Sequence, residues 1–303
     1  MRAVVINQFG GPEVLTLMDI PVPEPGPGQV LVRVEAIAVS VGETEMRAGR
    51  YPLPLPMVLG AEAGGTVEKL GEGVDPTLVG QSVVAITGGM GAYAEFVVVD
   101  VAKMARIPDG VPVRDAVASA APGALALALL HAAGLRGGET VLVEGGSGKV
   151  GGCLVRHARE FGAGRVVATA SKRPAEGADL VVDHGNPDEI EPVDVVFDMR
   201  ASGRLLPKVR RGGKVLLYGS TDRPLDTDVI RQNGLTVIGC GGPLWFEECL
   251  GVRYPEFLRR LADKSTRVQP VEVVLPLEQA AAAHERVLTS VERVLLSPLE
   301  SNM

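Results

Sequence analysis

The stretch from Glu139 to Gly239 constrains the fold of this chain most. Short apolar runs recur in it, TVLVE, RVVATA, DLVVD, DVVFDM, KVLLYG and LTVIG, separated by helical or loop sequence. Strands that are apolar almost throughout, rather than at alternate positions, are covered on both faces. The pattern therefore predicts an α/β unit with a parallel sheet wound by crossovers. The first run leads into GGSGKVGG, and KVGGCLVRHAREFGA after it reads as the one convincing long crossover helix. The segments after RVVATA and DLVVD are too short for a regular helix, so the unit is a trimmed one.

The glycine segment resembles two phosphate loops. A P-loop needs G-x-x-x-x-G-K followed by Ser or Thr, because the hydroxyl binds magnesium. Here Val143 stands at the first glycine position and Val150 follows Lys149, so both requirements fail. The G-x-G-x-x-G pattern is met by Gly146, Gly148 and Gly151, after a strand and at the start of a helix, the context that gives the pattern meaning. A tight structural turn is the alternative reading. About 20 residues beyond such a turn, NAD-binding chains place an acidic residue on the ribose. This chain has Ser171, Lys172 and Arg173 there. A hydroxyl and two cations attract a 2′-phosphate that a carboxylate would repel, which predicts NADPH; a solvated basic turn is the alternative.

The first third is β-rich, with RAVVI, VLVRVEAIAV, AGGTVEKL, QSVVAI and AEFVVV between Gly and Pro clusters. RDAVASAAPGALALALLHAAGL reads as one or two packed helices, interrupted at Pro122-Gly123. From Arg267 the tail reads strand, helix, strand, and its periodicity fits either an extension of the nucleotide sheet or a return to the β region. At 303 residues and 46% hydrophobic composition the chain accommodates one large or two ordinary domains. A net charge of −7 gives no basic face, so nucleic acid is not an expected partner. No apolar run reads as long enough to cross a bilayer, and MRAVVINQFG lacks a signal-peptide core, so no membrane partner and a cytoplasmic location are expected. Cys153, Cys240 and Cys249 form no C-x-x-C pair and read as reduced, buried thiols. The histidines at 131, 157, 184 and 284 are scattered, and no metal site is expected.

Taken together, GAEAGGTV at Gly60 to Val67, GAYAEFVVV at Gly91 to Val99, GGSGKVG at Gly145 to Gly151 and VLPLEQAAAAHERV in the tail resemble the medium-chain dehydrogenase/reductase superfamily. The resemblance covers essentially the whole chain and points to the zinc-independent, zeta-crystallin-like quinone oxidoreductase branch. It implies a discontinuous GroES-like β-rich catalytic domain, residues 1–118 and 265–303, around a Rossmann NADPH-binding domain, residues 119–264. It places the cofactor between the domains, its pyrophosphate on Gly148, Lys149 and Val150, with Gly219, Ser220 and Cys240 near the ribose and nicotinamide. A homodimer through the LTVIG strand is also implied. Zinc-dependent relatives carry G-H-E where this chain has Gly60-Ala61-Glu62, and the cysteine-rich structural lobe is missing. Without a Lewis acid, the expected reaction is hydride transfer to a quinone or an α,β-unsaturated carbonyl, a small molecule already activated by conjugation.

The chain departs from the family at the substrate end. The N-P-x-D-x-x-x-R-x-G segment corresponds to Ser40 through Gly49, keeping Arg47 and Gly49 but replacing Asn, Pro and Asp by Ser40, Val41 and Glu43. Ser40 reads as a carbonyl or nicotinamide donor or as a structural hydroxyl; Glu43 reads as a surface carboxylate or a proton relay. Tyr93, Trp245 and Phe246 are candidate pocket residues, packing within the core being the alternative for each. His184, where a Tyr often stands, reads as a cover for the adenine side or a solvated loop residue. Two further functions stay open: a dedicated biosynthetic enoyl or ketone reductase, and a non-catalytic NADPH-binding protein.

Overall fold

A computed structural model describes residues 1–51, 53–171, 174–219, 224–241, 245, 247 and 249–299. The chain forms two compact units, Met1–Ala121 with Leu250–Met303, and Pro122–Cys249. In the first, β1 (Arg2–Ile6) lies between β2 (Thr16–Asp19) and β4 (Met57–Val58), antiparallel to both. The long β3 (Gln29–Val39) anchors the second sheet, pairing antiparallel with β5 (Glu62–Leu70), β7 (Phe96–Asp100) and β16 (Arg293–Ser297). β6 (Ser82–Ile86) and β8 (Met104–Arg106) extend it beyond β5, and β15 (Val271–Pro276) lies parallel to β16.

The tail thus returns to the β region: Val294, Leu295 and Leu296 pair with Val39, Ala38 and Ile37. Val30, Val32, Ile37, Val67, Val83, Val97 and Leu296 are buried in one core, which α6 (Ala280–Val287) closes with Ala280, Ala283 and Val287. Residues 250–264 belong to this unit rather than to the nucleotide unit expected to reach 264. Their helix α5 (Tyr254–Ala262) buries Tyr254, Phe257, Leu258 and Leu261.

The helix α2 (Val113–Ala133) is single, with Pro122 inside it. A proline in a helix interior costs about 3 kcal/mol. Burial of Val117, Ala118 and Ala120 before it and Ala124, Ala126 and Leu127 after it offsets that cost, which explains why the expected interruption does not end the helix. This helix also corrects the expectation about apolar runs: by length and composition it is long and apolar enough to cross a membrane. Of its most apolar 18-residue stretch 78% is buried within the protein, as in a core helix.

The second unit carries a six-stranded sheet of β9 (Thr140–Val143), β10 (Arg165–Ala170), β11 (Leu180–Asp183), β12 (Val193–Asp198), β13 (Val209–Leu217) and β14 (Thr236–Gly239). Every pairing is parallel and the order is β11-β10-β9-β12-β13-β14, the doubly wound Rossmann arrangement. The fold class is therefore the expected one, a β-rich unit plus a Rossmann unit. The first crossover holds α3 (Lys149–His157), the last holds the seven-residue α4 (Thr227–Asn233), and those between are shorter: β11 and β12 are joined through a three-residue 3₁₀ turn, Pro187–Glu189.

Candidate functional site

In a parallel sheet all carboxyl ends lie along one edge, and ligands bind where the strand order reverses. In the second unit that point lies between β9 and β12. The glycine turn sits there. The Gly145 and Gly146 N–H groups donate to Thr169 Oγ1 (3.0 Å) and Thr169 O (2.9 Å), and Gly148 N donates to Gly145 O at 2.8 Å. Gly148 is the N-cap of α3 and offers no capping side chain, so the first-turn N–H groups of Lys149, Val150 and Gly151 are arranged as an anion site. A Cβ at Gly151 would lie 2.2 Å from Gly145 O, and one at Gly146 would lie 2.6 Å from Ala168 Cβ. The turn closes onto its helix only because these positions lack side chains. An uncapped helix start against a side-chain-free loop fits a dinucleotide pyrophosphate.

Other candidates fall along the same edge. Ser171 follows β10 and is exposed, whereas Lys172 and Arg173 lie outside the described residues. Gly219 follows β13 so closely against the next loop that a Cβ would meet Met199 O at 1.6 Å; Ser220 lies outside the described residues. Cys240, after β14, is buried; burial and the neighbouring Cys249 thiol push its thiol up to about 12. Trp245 is half-buried and Phe246 lies outside the described residues.

Sequence reasoning missed the polar cluster beneath this edge. Glu144 directly follows β9 and Asp198 ends β12, both almost fully buried. Glu144 Oε2 accepts the Arg200 N–H at 2.9 Å, and Glu144 and Asp198 directly follow the paired residues Val143 and Phe197 of adjacent parallel strands, which sets them side by side. Asp198 Oδ2 accepts Gly203 N at 3.3 Å. His184 is half-buried rather than solvated, its Nδ1 3.2 Å from Thr169 Oγ1, and burial together with Arg200 and Arg204 lowers its pKa. The signal available in the sequence was an acidic residue closing each of two otherwise apolar strands, TVLVE and DVVFD.

In the first unit, Ser40 and Glu43 come together at the start of α1 (Val41–Arg47) as a capping box, a reciprocal Ser/Glu arrangement that satisfies orphan N–H groups. Glu43 Oε2 accepts Ser40 N at 2.6 Å and Oε1 accepts Ala61 N at 2.8 Å. Glu43 is therefore not a surface carboxylate: it is 1% exposed, and burial raises its pKa against those hydrogen bonds and Arg293. Nearby, buried Glu62 accepts Tyr254 OH at 3.1 Å and pairs with buried Arg293 at 3.6 Å. Burial pushes Glu62 up to about 7, with Arg293 pulling the other way.

Tyr93 is fully buried, its hydroxyl 3.0 Å from His284 Nε2. Arg47 Nη1 lies 3.3 Å from His284 Nδ1. A guanidinium only donates, so Nδ1 must accept and Nε2 carries the hydrogen toward Tyr93. Burial and Arg47 lower His284 to about 3, which keeps it neutral. This chain ties α1, the Tyr93 loop and α6 together. Among the described residues no group of three or more His, Cys, Asp or Glu could hold a metal ion.

Comparison with known proteins accords with this architecture. Residues 26–109 match the alcohol dehydrogenase GroES-like domain. Over 318 residues the chain is 31% identical to a quinone oxidoreductase of Rattus norvegicus, covering 96% of this chain and 94% of the relative. A mycobacterial protein solved with NADPH superimposes with a TM-score of 0.85 at 30% identity, covering 98% of this chain and 100% of that one. The Escherichia coli quinone oxidoreductase solved with NADPH gives a TM-score of 0.87 at 25% identity, covering 98% and 100%. A GroES-like β unit joined to a Rossmann unit, with full-length identity to a quinone oxidoreductase, places this chain in the quinone oxidoreductase branch of the medium-chain dehydrogenase/reductase superfamily.

Proposed function

We propose that the chain is an NADPH-dependent oxidoreductase that delivers hydride, without zinc, to a quinone or an α,β-unsaturated carbonyl. The observation that carries this reading is the uncapped start of α3 against a side-chain-free glycine turn at the reversal point of the sheet, the place where a dinucleotide fits. The NADPH complexes of two structural relatives support the choice of cofactor. NADPH supplies the hydride when bound. The first-turn N–H groups of α3 neutralise its pyrophosphate, and Ser171, Lys172 and Arg173 receive the 2′-phosphate.

Ala61 brings no ligand where zinc-dependent relatives carry His, and all three cysteines fall in the second unit. A substrate already polarised by conjugation is the chemistry that suits such a residue set. Glu43, with each oxygen accepting a backbone N–H, holds α1 in place, and the proton that completes reduction comes from solvent or a weak side-chain acid. In this reading the β-rich unit carries the substrate, the Rossmann unit carries the cofactor, and two chains associate through the free edge of β14 in the cytoplasm.

The test is NADPH oxidation against a panel of quinones, enones, aldehydes and alcohols. We expect turnover with quinones or enones, at least tenfold preference for NADPH over NADH, and no loss on exhaustive chelation. Tight NADPH binding with no turnover on any acceptor would instead make the chain a cofactor-binding protein.

A further inference from the structure

Two carboxyls at neighbouring strand ends form the least expected feature of the Rossmann unit. Glu144 and Asp198 are 2% and 1% exposed and stand side by side, each directly after one of the paired residues Val143 and Phe197 of adjacent parallel strands. Two carboxylates offer only acceptors, so a hydrogen bond between them needs a proton. Asp198 Oδ1 is buried and has no hydrogen-bond partner among the described residues. Arg200 gives Glu144 its backbone N–H, while its guanidinium Nε stands 3.8 Å away. His184 Nε2 is 3.9 Å from Glu144 Oε1. The Tyr218 hydroxyl, just after β13, is also buried without a partner among the described residues, and its burial, together with both carboxyls, raises its pKa.

We propose that Glu144 and Asp198 share one proton, and that this protonated pair positions the glycine turn for dinucleotide binding. The inference rests on the reading of this unit as an NADPH site. Glu144 immediately precedes the turn, and its carboxyl joins the loop after β9 to the loop after β12 through Arg200 N. While the proton is shared, the pair carries a single negative charge and the two loops stay joined. Loss of the proton leaves two buried charges in contact at the base of a phosphate site. Their repulsion opens the junction, and the added charge opposes the pyrophosphate. Burial and the Asp198 contact push Glu144 up to about 7, so the change falls in the neutral range. His184, whose pKa is lowered, stays neutral there and does not offset it. Glu144 is thus a positioning residue, acting through the turn.

The pair is tested with the full chain by titrating NADP⁺ and NADH between pH 6.5 and pH 9. NADH lacks the 2′-phosphate, so a response common to both ligands belongs to the protein. We expect the affinity of the native chain for each to fall about tenfold over this range. In Glu144→Gln the amide donates to Asp198 at every pH, and the affinity should be nearly constant. Asp198→Asn should do the same from the other side, which keeps the test open if one variant folds poorly. Infrared difference spectra of the ligand-free chain give an independent reading: a protonated-carboxyl band at neutral pH, absent in Glu144→Gln. Identical pH profiles in native and variant chains, or no such difference band, would overturn the proposal. Failure of every nucleotide to bind at any pH, with the band present, would instead count against the NADPH reading and leave the shared proton standing.

Discussion

Replacing Gly151 by Ala should weaken NADPH binding by a hundredfold or more, whereas Gly152→Ala, one residue on, should leave it within about threefold. The two glycines lie in the same turn of α3 and face different neighbours. A Cβ at Gly151 would sit 2.2 Å from Gly145 O and 2.8 Å from Gly145 C, both backbone atoms that cannot swing aside. At Gly152 the nearest atom would be Gly146 O at 3.6 Å, an ordinary contact. The Gly151 variant must therefore push the loop after β9 away from the helix start. Hydrogen bonds to a charged group contribute roughly 1.5–3 kcal/mol each, so losing two amounts to about 3–6 kcal/mol, or two to four orders of magnitude in affinity. Intrinsic helix propensity favours Ala over Gly equally at both sites, so it does not create the contrast. Fluorescence titration of NADPH measures it; equal affinities in the two variants would mean that the turn is not the phosphate site.

The second large effect concerns stability. Arg293→Met should cost about 3–5 kcal/mol at pH 8, because it leaves buried Glu62 without its cation and close to Glu43. The sign of its pH dependence follows from Glu62. The folded-state pKa is raised, to about 7 from an unfolded value of 4.5, so its favourable contribution is complete below the unfolded pKa and is lost as pH rises through about 7. At pH 5.5 Glu62 is largely protonated and has less need of a counter-charge. The variant should then lose markedly less stability than at pH 8. Urea unfolding at the two pH values measures this; the same loss at both would show that Arg293 acts through packing alone.

The architecture was legible in the sequence because each strand of the Rossmann unit is a short apolar run bounded by polar or glycine residues, and burial on both faces writes that pattern directly. The glycine turn was legible for a related reason: the context of strand and helix separates it from a P-loop. The site's polar supports were harder to read. Ser40-Val41-Gly42-Glu43 has the spacing of a capping box, but its correspondence to N-P-x-D points to chemistry at the substrate end, with a surface carboxylate as the alternative. Helix capping turned out to bury Glu43 and use both its oxygens. Pro122 misled in the other direction, since local propensity cannot register that the residues on each side of it are buried. The Glu144–Asp198 contact links residues 54 positions apart on adjacent strands, and periodicity says nothing about which strand ends are neighbours.

We propose direct hydride transfer from NADPH in a site that uses no zinc. Its most direct test is single-turnover mixing of chelator-treated, NADPH-loaded protein with a quinone or enone, using NADPH deuterated at the transferring carbon. The expected result is loss of the reduced-nicotinamide absorbance with a primary deuterium isotope effect, at a rate unchanged by chelation; in an enone product the label would sit on carbon. Oxidation that stops on chelation and returns with added zinc would contradict it.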